Sequence, residues 1–376
     1  MTTMTIMMTT MTIMMTTTTN KKLWCTILIC LMNAFVYAQS INMSEEKFQV
    51  RGEICHWDYN KKAAVVLTFD DWTPGQYSLV VPTLKQFKMV ATFFPLTSNI
   101  EKTDIGWKAA QATAKNGNEL GNHTLTHPDI TKLTDETLEK EVMEPVSQIE
   151  KIVPNNAVIS FAYPYGAGAD DQHSIDFLRS KGFVGARSVW GMSDYSYNFA
   201  KEDDDYYKIH CYGMNESTKN SQFNAEVESV IKGGGLLTFL YHSVDDDLNS
   251  YYDSWYAQVK LDSLKEQLRF LKKHQDEVWV TTFGNAILYH REANCAKLRV
   301  QERAGFIEAK LTITNLEFRD LVPQTLMVPL TIKIYTDKKW SLVEQNGMSI
   351  PIDKQTDTYV QFRAIPNGGE IVLKQN

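Results

Sequence analysis

Apolar, strand-like segments alternate with helix-like segments between residues 62 and 291, and this alternation constrains the fold more than any other feature of the sequence. Such a chain forms a parallel sheet covered by helices, because each helix returns the chain to the starting end of the sheet. The predicted strands are 63–69, 91–96, 157–162, 183–189, 236–241 and 278–281. The clearest predicted helices are 134–152, 170–181, 221–232, 255–274 and 283–291. The sheet can close as a barrel or stay open.

Side chains that can carry chemistry follow these predicted strands. Asp70 and Asp71 end an apolar run, and His123 and His127 lie four residues apart about fifty residues later. One carboxylate and two imidazoles are a common catalytic metal set that leaves positions open for water and substrate. The second carboxylate is then free to act as a base. The pattern therefore predicts a metal-dependent hydrolase.

Two further residues extend this pattern. Tyr165 and His242 also come just after predicted strands. In a barrel of parallel strands, the carboxyl ends of the strands form the face on which active sites are built. We therefore expect these residues to lie near the acidic pair.

Four short motifs occur in a fixed order across this region. They are Thr68-Phe69-Asp70-Asp71, His123-Thr124-Leu125-Thr126-His127, Tyr163-Pro164-Tyr165-Gly166 and Leu240-Tyr241-His242. In these motifs the sequence resembles the polysaccharide deacetylases, the NodB-like carbohydrate esterases, over residues 62–291. The resemblance implies an α/β fold, a distorted (β/α) barrel of the NodB type, and metal-dependent removal of acetyl groups from sugars.

The resemblance also implies a metal site. Asp71, His123 and His127 would hold one divalent metal, zinc, with cobalt or nickel as alternatives. The metal would polarise the acetyl carbonyl and lower the pKa of its bound water.

The remaining matched residues would move protons and stabilise charge. Asp70 would deprotonate the attacking water, and His242 would protonate the departing amine or alcohol. The backbone N–H of Tyr165 would share the oxyanion with the metal. An Asp-Asp pair or an isolated histidine seen alone would more simply be a turn or a core residue, so the argument depends on the ordered set.

The sequence departs from the family pattern at three places. Ala162 stands where much of the family has an arginine that orients the base. The family has five motifs, of which Leu240-Tyr241-His242 matches the fifth, and the fourth is not cleanly present. We hypothesise that Arg187 supplies this cation to Asp70, with Asp194 as a second base-orienting candidate. A surface or helix-pairing arginine is the alternative. Trp72 stands where glycine is frequent, and it is either a substrate-groove residue or a core aromatic.

The two ends of the chain differ from the barrel region. From residue 296 onward, short alternating segments with turn signals predict a C-terminal all-β sandwich module over 296–376. Upstream of a barrel over 62–293 lies an N-terminal segment, 39–61. Residues 1–38 combine a repeated heptad with a secretory signal peptide.

The signal peptide prediction depends on three features. Lys21 and Lys22 precede a mostly apolar run over 23–32, and Val36-Tyr37-Ala38 supplies small residues for cleavage near Ala38. A transmembrane anchor is the alternative, but the apolar run is too short for it. We therefore expect an exported chain, periplasmic, cell-surface or extracellular, without a membrane span after cleavage.

The net charge limits the kinds of partner and substrate, and the cysteine content limits the disulfides that the chain can form. The net charge of −7 and the lack of a basic block exclude a nucleic-acid partner and favour a neutral substrate. Beyond the signal peptide, Cys55, Cys211 and Cys295 leave room for one disulfide or three thiols. Oligomeric state is left open.

The predicted substrate is an acetylated polysaccharide or oligosaccharide. Amide hydrolysis at an N-acetylated amino sugar is preferred over ester hydrolysis at an O-acetylated, xylan-type glycan, on the behaviour of the resembled family. A catalytically inactive glycan-binding protein that kept the fold is an alternative of another class. A barrel hydrolase acting on non-sugar amides is a third.

Overall fold

A computed structural model describes residues 49–154, 156–189, 195–246 and 258–375. The strands are β1 Arg51–Ile54, β2 Ala63–Asp70, β3 Thr92–Phe94, β4 Glu119–Leu120, β5 Ser160–Ala162, β6 Gly185–Arg187, β7 Tyr212–Gly213, β8 Leu236–Tyr241, β9 Val244–Asp245, β10 Val259–Lys260, β11 Val278–Thr281, β12 Ala296–Arg303, β13 Phe306–Ile313, β14 Leu330–Tyr335, β15 Leu342–Gln345, β16 Met348–Ile350, β17 Ile352–Gln355, β18 Tyr359–Ala364 and β19 Glu370–Lys374.

The α-helices are α1 Val81–Phe87, α2 Thr97–Glu101, α3 Gly106–Lys115, α4 Asp135–Ile152, α5 Gln172–Ser180, α6 Asn220–Gly233, α7 Leu261–Lys273, α8 Phe283–Cys295 and α9 Leu316–Leu321. A π-helical segment, Gln76–Val80, leads into α1. Short 3-10 turns lie at Asp58–Asn60, Ile130–Lys132, Pro164–Gly166, Asp203–Tyr207 and Gln324–Leu326.

A parallel sheet around β2 is the centre of the fold. Strands β4, β3, β2, β8 and β7 lie side by side in that order, and β11 pairs with the first half of β2. All eight residues of β2 are buried. A strand covered on both faces is a continuous apolar run, which is why β2 and β8 could be predicted closely from sequence.

Two isolated bridges turn this sheet into a distorted barrel. Strands β5 and β6 pair in parallel with each other. Asn122, just after β4, bridges Phe161 of β5, and Arg187 of β6 bridges Ile209 on the way into β7. The ring of strands therefore runs through both sheets. The predicted α/β class and distorted barrel are confirmed.

The helices follow local signals in the sequence. Thr134 caps α4 in a capping box with Thr137, which satisfies backbone N–H groups at the start of the helix. Its buried residues Leu138, Val142 and Ile149 recur at helical spacing and face the core. Predicted helix bounds agree with the structure to within a few residues, with one exception. The helix predicted over 255–274 begins at Leu261 as α7, and residues 255–257 of that prediction lie outside the described part of the chain.

The C-terminal region contains two antiparallel sheets. One has the order β1-β14-β18-β17 and the other the order β12-β13-β19-β15-β16. A Cβ placed on Gly52 would lie 2.5 Å from side-chain atoms of Leu298 and Val300, so β1 and β12 pack face to face. The expected sheet-rich, sandwich-like C-terminal region is confirmed, with the short helix α9 added between β13 and β14.

The predicted domain boundaries remain a prediction, and one contact crosses them. Strand β1 belongs by sequence to the segment 39–61, yet it pairs antiparallel with β14. The described thiols of Cys55, Cys211 and Cys295 are free, so the possible disulfide does not occur among them. Within the described residues, no helix is both long enough and apolar enough to cross a bilayer.

Candidate active site

The register of β2 and β8 places the proposed base and acid next to each other. Phe69 pairs with Tyr241 in the parallel ladder. Asp70 is the last residue of β2 and His242 directly follows β8, so they lie at neighbouring positions on the carboxyl edge of the sheet. Asp70 is 1% exposed.

Three residues converge on one point beside this pair. One ligand atom from each of Asp71, His123 and His127 lies within 4.8 Å of the others. His123 Nε2 lies 3.6 Å from Asp71 Oδ1, and His127 Nε2 lies 3.8 Å from the same oxygen. These separations are too long for hydrogen bonds but suit three ligands of one ion.

The chemistry of these atoms fits a divalent cation. His123 Nδ1 lies 2.7 Å from the carbonyl oxygen of Ala162. A carbonyl only accepts, so Nδ1 carries the proton and Nε2 presents a lone pair. In the described part of the chain, His123 Nε2 and Asp71 Oδ1 are buried without a hydrogen-bond partner. Buried acceptors aimed at one another are unfavourable unless a cation lies between them.

Backbone geometry and α4 shape the loop that carries the two histidines. Thr124 and His127 have φ values of 71° and 69°, and Thr124 Oγ1 accepts from His127 N at 2.9 Å. The carboxylate of Glu141 accepts from the backbone N–H groups of Leu125 and Thr126 at 3.1 and 2.9 Å. It also accepts from Thr126 Oγ1 at 2.8 Å. Glu141 thus fixes the loop against α4.

Arg187 lies against Asp70, as the sequence hypothesis requires. Its Nη2 donates to Asp70 Oδ2, and its Nη1 donates to the carbonyl of Ser188 at 2.9 Å. The Arg187 side chain is fully buried. Arg187 Nη1 also lies 3.6 Å from Cys211 Sγ.

The charges around Asp70 set its ionisation. Burial by itself would raise the pKa of the Asp70 carboxyl, but Arg187, and then His123 and His242, favour the carboxylate, so the pKa is lowered. Burial and the nearby Asp70 charge raise the pKa of Asp71. The two carboxylates therefore differ in their tendency to ionise.

The neutral form is favoured at three imidazoles, and for His123 and His127 this is the form that can bind a metal. Burial is the main cause that lowers the pKa of His123, His127 and His242. For His127 the neighbouring His123 adds to the effect. For His242 the charges of Asp70 and Asp71 partly oppose it. Neutral imidazole is the state that a metal ligand needs.

The structure places the remaining predicted residues, Tyr165 and Trp72, in different surroundings, and Asp194 is not among the residues that it describes. Tyr165 lies in the turn after β5, is 61% exposed, and packs its ring edge-on against His127 with centroids 4.4 Å apart. Trp72 is only 3% exposed and packs on Tyr77 and Phe93. The expectation that Trp72 lines a substrate groove is therefore wrong: its ring is a core residue.

Sequence reasoning missed two amide side chains at the site. Asn99 donates to the carbonyl oxygen of Asp71 at 2.7 Å. Gln76 donates to the carbonyl oxygens of both Asp70 and His242. A single sequence gives no signal for either residue. Both side chains donate to backbone carbonyl oxygens, and only the folded structure shows that these carbonyls lie nearby. The acceptor role of the Ala162 carbonyl was missed for the same reason.

Comparison with known proteins shows what part of this region is similar to. Residues 58–184 match the family model described as polysaccharide deacetylase. Peptidoglycan-N-acetylmuramic acid deacetylase PdaC of Bacillus subtilis is 33% identical over 118 residues, which are 31% of this chain and 24% of that protein. The resemblance predicted from the four motifs is confirmed.

Two further relatives differ in how much of the chain they match. A chitooligosaccharide deacetylase of Sinorhizobium fredii is 30% identical over 109 residues, 29% of this chain and 49% of that protein. A gellan lyase of a Bacillus species is 24% identical over 346 residues, 85% of this chain and 13% of that protein. The chain thus spans less than half the length of each of these relatives.

A solved structure was also matched, that of PdaC. The match covers 63% of this chain and 96% of the PdaC chain, with 23% identity and a TM-score of 0.41.

Proposed function

We propose that this chain is a hydrolase that removes acetyl groups from an acetylated polysaccharide or oligosaccharide. The observation that carries the proposal is the setting of Asp70, whose buried carboxylate pairs with Arg187 beside the cluster of Asp71, His123 and His127. Hydrolysis of an acyl group needs an ionised base next to an electrophilic centre. The match of residues 58–184 to the polysaccharide deacetylase model supports the same class of reaction.

The cluster of Asp71, His123 and His127 would hold one divalent cation. We propose zinc, with cobalt or nickel as alternatives, because zinc accepts imidazole nitrogen and carboxylate oxygen in sites that keep a position open. When bound, such a cation polarises an acyl carbonyl and lowers the pKa of water.

The chain's own residues would move the protons. Asp70 would accept the proton of the attacking water, since Arg187 keeps its carboxyl ionised. His242, on the adjacent strand, would donate a proton to the departing amine or alcohol. Burial lowers the pKa of His242, which makes its protonated form a stronger acid than free imidazole. The backbone N–H of Tyr165 would bind the oxyanion.

Metal content and acetate release together test the proposal. Purified wild-type protein is expected to contain close to one divalent ion and to release acetate from an acetylated glycan. Asp70→Asn should keep the ion and lose turnover by at least about 100-fold, because the general base is removed while the ligands stay. Protein without metal and without acetate release would refute the enzyme proposal and favour the inactive glycan-binding alternative.

The preferred bond is the N-acetyl amide of an amino sugar. Support comes from relatives whose names describe deacetylation of peptidoglycan N-acetylmuramic acid and of chitooligosaccharides. The same residues could hydrolyse an O-acetyl ester, so the two substrates must be compared directly. Chitin oligomers should release acetate faster than acetylated xylan at equal acetyl concentration. Faster release from acetylated xylan would instead show that the preferred substrate is an O-acetyl ester.

We further propose export of the chain, with cleavage after Ala38. The support is the sequence alone: Lys21 and Lys22, the apolar run over 23–32 and the small residues before Gln39. N-terminal sequencing of protein recovered outside the cytoplasm should begin at Gln39. An intact N-terminus on the recovered protein would contradict the proposal.

A further inference from the structure

Gln76 joins the two strands that carry the proposed base and acid. Its Nε2 donates to the carbonyl oxygen of Asp70 and to the carbonyl oxygen of His242, the second at 2.9 Å. The Gln76 side chain is fully buried, at 0% exposure. It lies at the start of a π-helical segment, a conformation that is rare and frequent at functional sites.

The end of the ladder between β2 and β8 explains why an amide is needed there. The register of the two strands stops at the pair of Phe69 and Tyr241. Beyond that pair, the side-chain amide of Gln76 donates to the carbonyls of Asp70 and His242. One amide nitrogen carries two N–H bonds and can serve both carbonyls at once. The opposite orientation would point Oε1 at two acceptors, so chemistry fixes the orientation of the amide.

The backbone after Asp70 makes this bridge more important. Asp71 and Trp72 have φ values of 74° and 63°, so the chain leaves the strand through two successive left-handed residues. Non-glycine residues adopt this conformation only when the surrounding contacts hold them in it. Gln76 acts on Asp70 and Asn99 acts on Asp71, and each does so through a backbone carbonyl.

We propose that Gln76 is a positioning residue that sets the separation of Asp70 and His242. The inference rests on the proposed function, in which these two residues are base and acid. A donor shared between their backbone carbonyls restrains both strand ends together. Loss of the donor keeps both side chains in the protein but lets the two strand ends, and Asp70 and His242 with them, move independently. Small displacements of reacting groups reduce turnover strongly.

Two variants test the proposal by kinetics. Gln76→Leu removes both donors with little change of volume, and Gln76→Glu keeps the shape but replaces the two-donor nitrogen with oxygen. Each should lower kcat about 10- to 100-fold, with KM and metal content within about twofold of wild type. The matched control is Gln345→Leu, since Gln345 is also buried and donates to a backbone carbonyl, that of Ile365, in the C-terminal region. The control should lose stability but keep kcat.

The outcomes separate the two proposals. Wild-type kcat in either Gln76 variant, or a change confined to KM or metal content, would overturn the positioning role. If the wild-type protein itself releases no acetate, the proposed function fails, and crystal structures of wild type and Gln76→Leu then decide. An unchanged distance between Asp70 and His242 in those structures would overturn the positioning role, and a changed distance would uphold it.

Discussion

Arg187 and Asp70 form an ion pair in which the two side chains are 0% and 1% exposed. Removing two charges from water is costly, and their mutual neutralisation offsets part of that cost. Among the described residues, Asp70 Oδ1 and Arg187 Nε are buried without a hydrogen-bond partner, so the pair is not fully compensated. Arg187 lies at the end of β6, on the strand after the motif in which Ala162 replaces the usual arginine. The pair therefore supplies, from a different strand, the positive charge beside Asp70 that Ala162 cannot provide, in the place where the sequence hypothesis puts Arg187.

Arg187→Ala should lower kcat at least about 10-fold, because Asp70 loses the charge that orients it and holds its pKa down. Breaking one side of a buried pair should also reduce the free energy of unfolding by about 3–5 kcal/mol. Initial rates of acetate release and chemical denaturation measure the two effects. Added guanidinium should partly restore turnover by entering the space left by the side chain.

Arg179→Ala is the control for this variant, since Arg179 pairs with Asp176 and Asp203 at the surface and lies outside the site. Its kcat should equal that of wild type. Full turnover of Arg187→Ala at a folding stability sufficient for the assay would show that Asp70 needs no cation.

If the cluster of Asp71, His123 and His127 holds the proposed ion, changing one of its members should cause a selective loss of ion binding. His127→Ala and Asp71→Asn should each weaken zinc binding by more than about 100-fold, since even residues that only support a ligand typically contribute 10- to 100-fold. Competition with a chromophoric chelator measures the affinity. His173→Ala is the control, because His173 is 62% exposed and contacts Asp135 outside the cluster. Unaltered zinc affinity in both ligand variants would place the ion elsewhere.

Glu141 should influence zinc binding without touching the ion. Glu141→Ala removes the side-chain acceptor of the N–H and hydroxyl of Thr126, while the N–H of Leu125 keeps its bond to the backbone carbonyl of residue 141 at 2.9 Å; the loop that carries His127 should therefore be loosened in part. We expect a loss of zinc affinity of about 10-fold, with a smaller loss in Glu141→Gln, which keeps one acceptor oxygen. Glu139→Ala, on the same helix and paired with Lys181, is the control. Equal affinity in Glu141→Ala and the control would show that the loop holds its shape unaided.

What could be predicted from the sequence depended on local signals. Strand β8 was predicted with its observed bounds and β2 to within one residue, because buried parallel strands are continuous apolar runs. Asp70, Asp71, His123 and His127 were proposed together because motif order carries information that no single residue has, and the structure brings the four side chains together. Strand β1 was not recognised, since its exposed, polar sequence shows no strand pattern until β14 pairs with it.

The supporting contacts could not be predicted for a physical reason. The carbonyl of Ala162 and the amide of Gln76 act through backbone atoms, whose positions follow from the register of the whole sheet rather than from nearby residues. For Trp72 the error was the opposite one, because its position in the sequence suggested a role that the structure contradicts. Its place after Asp71 suggested an open groove, but the left-handed turn at Asp71 and Trp72 directs the ring into the core.

A buried acid outside the site should govern how stability depends on pH. Glu292 of α8 is 0% exposed and accepts from the backbone N–H of Val328 at 3.0 Å. Burial raises the pKa of Glu292 from 4.5 to about 8. Between these two values the unfolded chain has released the proton that the folded chain still holds. The contribution of Glu292 to the free energy of unfolding should therefore fall as pH rises, by about 1.4 kcal/mol per pH unit.

Glu292→Gln removes this titration while keeping an acceptor for Val328. The variant should lose the Glu292 contribution to the slope, so that its stability relative to wild type improves steadily from pH 5 to pH 8. Urea unfolding at fixed intervals of pH measures the difference, and Glu302→Gln, at the half-exposed ion pair with Lys338, serves as the control. Parallel curves for wild type and Glu292→Gln across this range would show that Glu292 is already ionised in the folded chain, with its charge balanced by a contact beyond Val328.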